Sequence, residues 1–355
     1  MEGNHNSLNQ VLLNPIWNSI QAFIDGDGYE FWESGDRAVV NNHFELIKSK
    51  RTLSFSQNAI DFAVMNGNFG LVEWIHRNIG SGCSHQALDI ASETGQLNLL
   101  TWLHQNVSKD ISETGMNMAC WNGHLELLKW IYETYSLDSE FDFGQGFDLI
   151  SAMEFAIEGG HLDIAEWLNS KLPADYQPDS DKIDNAAWGG HLEMVEWLAK
   201  TFGANFTNLA LQNAASGGHL HVMEWLYQNW DSNIQRHWNL KGENVALERA
   251  ANGGKLNAVE WLHQNMGAKC TVAAMDKAIQ QGHLPVVEWF LNQNPTIGFT
   301  HGAIQSAIRD GYILPVEWLK TQRPEYFPAI EDNNEDRPFI DSSNADPEIK
   351  SYNVM

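Results

Sequence analysis

The nine residues 190–198, GHLEMVEWL, recur with small changes along the chain and decide its fold. Near-copies begin at five other glycines: GHLELLKWI at 123, GHLDIAEWL at 160, GHLHVMEWL at 218, GKLNAVEWL at 254 and GHLPVVEWF at 282. A short unit that returns at a nearly fixed spacing is typical of repeat proteins, in which each unit packs mainly on its neighbours. The sequence therefore predicts a stack of similar units rather than one closed core.

Each copy is anchored on a glycine that has an alanine four residues before it and a tryptophan seven residues after it. The nine glycines are Gly67, Gly95, Gly123, Gly160, Gly190, Gly218, Gly254, Gly282 and Gly311. The nine tryptophans are Trp74, Trp102, Trp130, Trp167, Trp197, Trp225, Trp261, Trp289 and Trp318. A tenth, degraded copy without the tryptophan precedes them, with Asn42 at the glycine position.

The apolar positions of the unit have helical spacing. In the copy centred on Gly190 they include Ile183 and Ala186 before the glycine and Leu192, Val195 and Leu198 after it. Such a one-sided stripe predicts an amphipathic helix on each side of the turn. The glycine can end the first helix in the left-handed conformation. We expect the tryptophan to be buried against the neighbouring unit.

The pattern Ala-x-x-x-Gly-His-Leu-x-x-Val-x-x-Leu resembles the ankyrin repeat, with Trp-Leu in place of the usual Leu-Leu. The short unit, with Gly82-Cys83 and Ala274-Met275-Asp276, is similar to the tryptophan-rich ankyrin subfamily abundant in protists and their large viruses. The resemblance covers about residues 35 to 322. It departs from the standard pattern in lacking the Thr-Pro-Leu-His opening and in being about five residues shorter than the usual 33.

The resemblance implies an all-α, ankyrin-like α-solenoid of about nine to ten stacked helix-turn-helix repeats. The missing residues fall where the family forms its projecting hairpin, so the β-hairpin loops should be short or vestigial. We expect three segments: an N-terminal helical cap at 1–33, the repeats at 34–322, and an acidic, flexible tail at 323–355. An alternative reading of 1–33 is a degenerate F-box-like segment.

Charge and composition narrow the classes of partner. The net charge of −25 argues against nucleic-acid binding, which needs a basic surface, and against an anionic membrane. Three cysteines favour free thiols in a reducing compartment. The N-terminus lacks the basic and apolar regions of a signal peptide, and no apolar run is long enough to span a membrane. We therefore expect a cytoplasmic protein whose partner is a basic protein.

No pattern in the sequence indicates catalysis. Walker, G-x-G-x-x-G, H-E-x-x-H and G-x-S-x-G motifs are absent. The histidines that follow the turn glycines recur at equivalent positions, about one helix spacing apart, which is too far for shared metal coordination. A structural role is expected for them, with the imidazole bonding turn backbone between repeats. The sequence predicts no enzyme activity, no cofactor and no metal.

Three features are candidates for partner binding. An acidic row lies six residues before the glycines, and the resemblance places it on the inner, concave side. Two tryptophans lie one helical turn further on, and two insertions between repeats are aromatic. The candidate residues are Asp61, Asp89, Glu154, Asp184, Trp121, Trp188, Phe141, Phe143, Phe147, Trp230 and Trp238. Solvation, packing under a neighbouring loop and a small satellite core remain the respective alternatives.

The leading hypothesis is a non-catalytic scaffold that binds a basic protein through its concave face and its two aromatic insertions. A second hypothesis is a substrate adaptor of a ubiquitin ligase that acts through the F-box-like N-terminus. A third is a structural subunit of a larger complex.

Overall fold

The structure is a computed structural model, and it describes ten stretches of the chain. They are residues 34–49, 53–56, 58–80, 84–107, 111–136, 148–179, 181–203, 206–229, 242–327 and 338–339. The chain divides into two compact units. Unit 1 comprises residues 1–156 and 163–172, and unit 2 comprises residues 157–162 and 173–355. The segment 1–33, with its cap or F-box-like reading, lies outside the described residues.

Unit 1 is built from antiparallel pairs of short helices. They are α1 (Gly35–Val40), α2 (Phe44–Ser49), α3 (Ala59–Met65), α4 (Phe69–Ile79), α5 (His85–Glu93), α6 (Leu97–Asn106), α7 (Glu113–Trp121) and α8 (Leu125–Ser136). The next pair, α9 (Leu149–Gly159) and α10 (Leu162–Asn169), contributes residues to both units.

Unit 2 continues the same pattern of paired helices. They are α11 (Asp181–Gly189), α12 (Leu192–Phe202), α13 (Asn208–Gly217), α14 (Leu220–Gln228), α15 (Gly242–Asn252), α16 (Leu256–Met266), α17 (Val272–Gln280), α18 (Leu284–Gln293), α19 (His301–Arg309) and α20 (Ile313–Gln322). A 3-10 turn follows at Pro324–Tyr326. Two-residue strands β1 (Phe299–Thr300) and β2 (Pro338–Phe339) pair antiparallel.

The glycine turn has the geometry that the sequence predicts. All nine turn glycines have a positive φ, and Asn42, at the same position of the degraded copy, also does, with φ 57°. In the copy at Gly190, the N–H of Gly190 donates to Ala187 O and the N–H of His191 donates to Ala186 O. These two bonds satisfy carbonyls at the end of α11 and define a Schellman-type turn. The recurrent alanine thus supplies both a small side chain and the carbonyl that closes the turn.

In each repeat the first helix precedes the turn glycine and the second helix follows it. The buried core lies between these first and second helices. In the second helices the fully buried positions are four, five and eight residues after the glycine, as Met194, Val195 and Leu198 show in α12. The recurrent alanine is also fully buried in every copy, as at Ala186. Burying a leucine or valine side chain contributes roughly 1.5–3 kcal/mol, and the stack repeats this contribution in each pair.

The tryptophans are half-buried, so the expectation that they are buried is met only in part. The rings of five of them contact an aromatic side chain that lies two residues after the tryptophan of the preceding pair. Edge-on contacts of this kind are His76–Trp102, His104–Trp130, Tyr132–Trp167, Tyr227–Trp261 and His263–Trp289, with centroids 5.3–5.6 Å apart. Each such contact joins one second helix to the next, and one side of the indole stays in solvent.

Hairpins are vestigial, as predicted. Among the described residues, the only strands are β1 and β2, and no hairpin joins two repeats. The described helices include none that is both long and apolar enough to cross a membrane.

Candidate interaction surface

The acidic row six residues before the glycines does not form an exposed stripe. Asp61 and Asp184 are only 3% and 2% exposed, and Asp89 and Glu154 are half-buried. The expectation of an open acidic surface is therefore wrong for Asp61 and Asp184. Position six before the glycine faces the start of the next first helix, because neighbouring first helices pack side by side.

The carboxylates of this row bond the residue that begins the first helix of the next repeat. Asp61 accepts from the backbone N–H of Ser84 at 3.1 Å and from its hydroxyl at 2.7 Å. Asp89 accepts the same two hydrogen bonds from Ser112, at 3.1 Å from its backbone N–H and at 2.7 Å from its hydroxyl. Ser84 and Ser112 also cap their own helices, so one acidic side chain connects the core of a repeat to the cap of its neighbour.

The same joint recurs in unit 2. Asp184 accepts from the N–H and hydroxyl of Thr207 at 3.0 and 2.5 Å, and Asp276 accepts from the N–H of Thr300 at 2.7 Å. Burial raises the pKa of the Asp184 and Asp276 carboxyls, while the bonds from Thr207 and Thr300 act in the opposite direction. The desolvation is tolerated because each ionised oxygen has a donor.

The histidines after the turn glycines form a second set of bonds between repeats, which confirms the structural role predicted for them. His124 contacts Glu93 O at 2.9 Å, His219 contacts Trp188 O at 3.1 Å, and His283 contacts Asn252 O at 3.0 Å, each through Nε2. In each case the carbonyl lies two residues before the glycine of the preceding repeat. Desolvation lowers the pKa of His191 and His219, which favours the neutral imidazole.

Two residues before the glycine, the first helices present side chains to solvent. Trp188 is 58% exposed and Met65 is 61% exposed. Trp121, at the same position of its repeat, is half-buried and meets the ring of Phe155 edge-on at 6.3 Å. The sequence placed both tryptophans on a binding face, and the structure leaves Trp188 the more open of the two.

Five residues before the glycine, the two units differ in chemistry. In unit 1 this position is apolar and half-buried: Phe62, Ile90, Met118 and Phe155. In unit 2 it is polar: Asn185, Asn213, Arg249 and Lys277. Arg249 donates to Asn213 Oδ1 at 3.1 Å, which links two of these side chains. Sequence reasoning missed this row, although the change of residue type is visible once the copies are aligned on their glycines.

The first helices of unit 1 are also strongly acidic. The first helices of unit 1 are α1, α3, α5, α7 and the part of α9 up to residue 156. Their carboxylates are Asp36, Asp61, Asp89, Glu93, Glu113 and Glu154. Their only lysine or arginine is Arg37. Glu93 and Glu113 are exposed. Asp61 and Asp89 bond Ser84 and Ser112 and so add little to the exposed charge of these helices.

The insertions that carry Phe141, Phe143, Phe147, Trp230 and Trp238 lie outside the described residues. Their role in binding stays a prediction. Within the described part of the chain, no three His, Cys, Asp or Glu side chains cluster as metal ligands would.

Comparison with known proteins supports the fold in the middle of unit 2. Among solved structures, the human ASB11 ankyrin repeat domain is similar at 20% identity, with a TM-score of 0.36, over 50% of this chain and 83% of that chain. No curated protein matches. Residues 183–274 match the family model for ankyrin repeats, in three copies. The same all-α helix-turn-helix pair recurs on both sides of that range.

Proposed function

We propose that this chain is a non-catalytic, cytoplasmic scaffold that binds a basic protein through the exposed face of its first helices. The observation that carries the proposal is the exposure of Trp188, a large aromatic side chain on an otherwise polar helix surface. Exposed tryptophans are frequent anchors of protein interfaces because they bury a large area at little conformational cost. Ankyrin-type repeats serve such interactions, which supports the same class of function.

The binding surface differs from the one expected from the acidic row. Asp61, Asp89 and Asp184 are occupied by Ser84, Ser112 and Thr207, so we assign them to the joints between repeats. The residues that we assign to the partner lie two and five residues before the glycine. In unit 1 they are Met65 and Trp121 at the first position and Phe62, Ile90, Met118 and Phe155 at the second, and in unit 2 the assigned residue is Trp188 at the first position.

The acidic charge of the chain then favours a partner of opposite charge, without the carboxylates of the acidic row making the specific contacts. A net charge of −25 attracts a basic protein over long range, and this attraction weakens as salt increases. We also propose membership of the short, tryptophan-rich ankyrin subfamily, because all nine copies carry the tryptophan seven residues after the glycine.

The test is affinity purification with the full chain and single variants, followed by measurement of the recovered partner's affinity. Trp188→Ala should weaken binding by about tenfold or more, as expected for an interface anchor. Leu209→Ala is the matched control, because Leu209 is an apolar residue of the same unit, 46% exposed, on a first helix but at neither of the two assigned positions. Equal affinities of the Trp188 variant, the Leu209 variant and the wild type would refute this surface.

A further inference from the structure

The first helices of unit 2 present two exposed cations that have no acidic partner. Arg249 of α15 and Lys277 of α17 each lie five residues before a turn glycine, and both side chains are exposed. Among the described residues, the ion pairs of unit 2 are Lys182–Asp181, Arg309–Asp310 and Arg323–Glu325. Arg249 and Lys277 therefore keep their positive charges available at the surface.

The carboxylates of the same two helices bond the next repeat instead of pairing with these cations. Glu248 accepts from the hydroxyl of Thr271 at 3.2 Å, and Asp276 accepts from the backbone N–H of Thr300 at 2.7 Å. The third carboxylate, Glu243, lies in the first turn of α15. The position five residues before the glycine therefore keeps its positive character in both helices.

The stretch around these helices is nearly neutral, in contrast to the chain as a whole. Residues 242–327 contain seven lysines and arginines against eight aspartates and glutamates, whereas the whole chain carries −25. The equivalent position of unit 1 is apolar, and the first helices there are strongly acidic. An acidic segment, which most of the chain repels, therefore meets little repulsion at α15 and α17.

Arg249 is held in place by the preceding repeat. Its guanidinium donates to Asn213 Oδ1 at 3.1 Å, and the amide group of Asn213 in turn donates to Asp184 O at 2.9 Å. A guanidinium has five N–H donors in one plane, so a single bond to Asn213 orients the group and leaves other donors for an incoming carboxylate. The structure thus contains a positioned arginine with unused donors.

We propose that the face formed by Asn213, Arg249 and Lys277, here called the cationic face, binds an extended acidic segment of a partner protein. Helix α15 packs beside α17, and helices in such contact lie about 8–10 Å apart. Three residues of an extended chain span about 10 Å, so carboxylates three residues apart can meet Arg249 and Lys277 together. This surface is separate from the one that we assign to a basic partner, because a basic segment is repelled by both cations.

The experiment is fluorescence anisotropy of the full chain with a labelled peptide that carries glutamate at every third position among glycines and serines. The peptide should bind, and its affinity should fall as the salt concentration rises. A peptide with glutamine in place of each glutamate should bind about tenfold or more weakly, because it lacks the charges that meet the two cations. Equal binding of the two peptides, or binding of neither, would overturn the proposal.

Charge variants locate the binding on the cationic face. Lys277→Glu and Arg249→Gln should each weaken the glutamate peptide by about tenfold or more. Lys200→Glu is the matched control for Lys277→Glu, because Lys200 is exposed on the second helix α12 of the same unit and the change in net charge is the same. At about 0.1 M salt, where charges more than about 10 Å apart are largely screened, the control should keep its affinity within about twofold.

Two results with these variants contradict the assignment. A loss for Lys200→Glu as large as that for Lys277→Glu would mean that the peptide responds to overall charge and not to the cationic face. A phosphoserine peptide that binds where the glutamate peptide does not would contradict the choice of carboxylates. Neither result bears on the basic partner, whose binding is measured with the Trp188 variant.

Discussion

A turn glycine is required for its backbone conformation and for the close approach of the next repeat. A comparison of Gly190 with Gly203 distinguishes these two reasons. Gly190 has φ +77°, and an added Cβ would run into the imidazole of His219. Gly203 has φ +61°, but an added Cβ would meet nothing within 4 Å. The first glycine is therefore needed for its backbone conformation and for the approach of the next repeat, whereas the second is needed for its conformation alone.

We predict that Gly190→Ala lowers the free energy of unfolding by roughly 1–3 kcal/mol more than Gly203→Ala does, since only the former displaces a packed side chain. Chemical denaturation of both variants measures the difference. In the background of His219→Ala the excess cost should shrink. Equal losses for the two alanine variants, with His219 present, would show that the close approach is unimportant.

The acidic row shows what the spacing of single residues could and could not predict. Helical spacing placed Asp61 and Asp184 on one side of their helices, and it could not tell which neighbour that side meets. The residue that each carboxylate bonds lies 23 residues further along the chain. It is the Ser or Thr that begins the next first helix, Ser84 for Asp61 and Thr207 for Asp184. Both were available in the sequence, but only packing shows that an acid and a cap 23 residues apart come into contact.

Several second helices of successive repeats are joined by pairs of aromatic rings. Tyr227 of α14 meets Trp261 of α16 edge-on at 5.6 Å, with an interplanar angle of 90°. Edge-on pairs of this kind contribute about 0.5–1.5 kcal/mol beyond the area that they bury. The pair bridges the inserted loop that separates α14 from α15, so it holds two second helices whose connection is unusually long.

A double-mutant cycle should therefore give a coupling free energy of about 0.5–1.5 kcal/mol between Tyr227→Ala and Trp261→Leu. The control cycle combines Tyr227→Ala with Trp289→Leu, because Trp289 contacts His263 instead. That second cycle should be additive within about 0.5 kcal/mol. Similar coupling in both cycles would mean that the tryptophans act through the whole stack and not through their ring contacts.

The helix pairs themselves were predictable, because glycine, alanine and the apolar stripe recur at fixed offsets. The predicted ankyrin-type fold is confirmed, including the absence of inter-repeat hairpins from the described residues. The half-buried state of the tryptophans was not predictable in the same way. A stripe at positions seven and eight after the glycine shows that both face the core, yet only the second is fully enclosed, as at Leu198 beside Trp197.

Within the two units, the residue six before the glycine bonds the next repeat. The residue two before the glycine is the most open where it is Met65 or Trp188. The residue five before the glycine is half-buried in unit 1, and in unit 2 it also bonds neighbouring repeats, as Arg249 does with Asn213. In unit 1 the outward positions are mostly apolar, and in unit 2 they are mostly polar, with Trp188 as the exception. The stack can thus keep the same joints while its outward face varies from repeat to repeat.

The division between joint and surface is tested most directly by two variants of helix α11, whose residues Asp184 and Trp188 lie one helical turn apart. Asp184→Ala leaves the N–H and hydroxyl of Thr207 without their acceptor, and we predict a loss of roughly 1–3 kcal/mol in the free energy of unfolding. Trp188→Ala should change that free energy by less than about 0.5 kcal/mol, because its side chain is mostly in solvent. Denaturant unfolding of the two variants beside the wild type supplies both values, and a larger loss for Trp188→Ala than for Asp184→Ala would contradict the account.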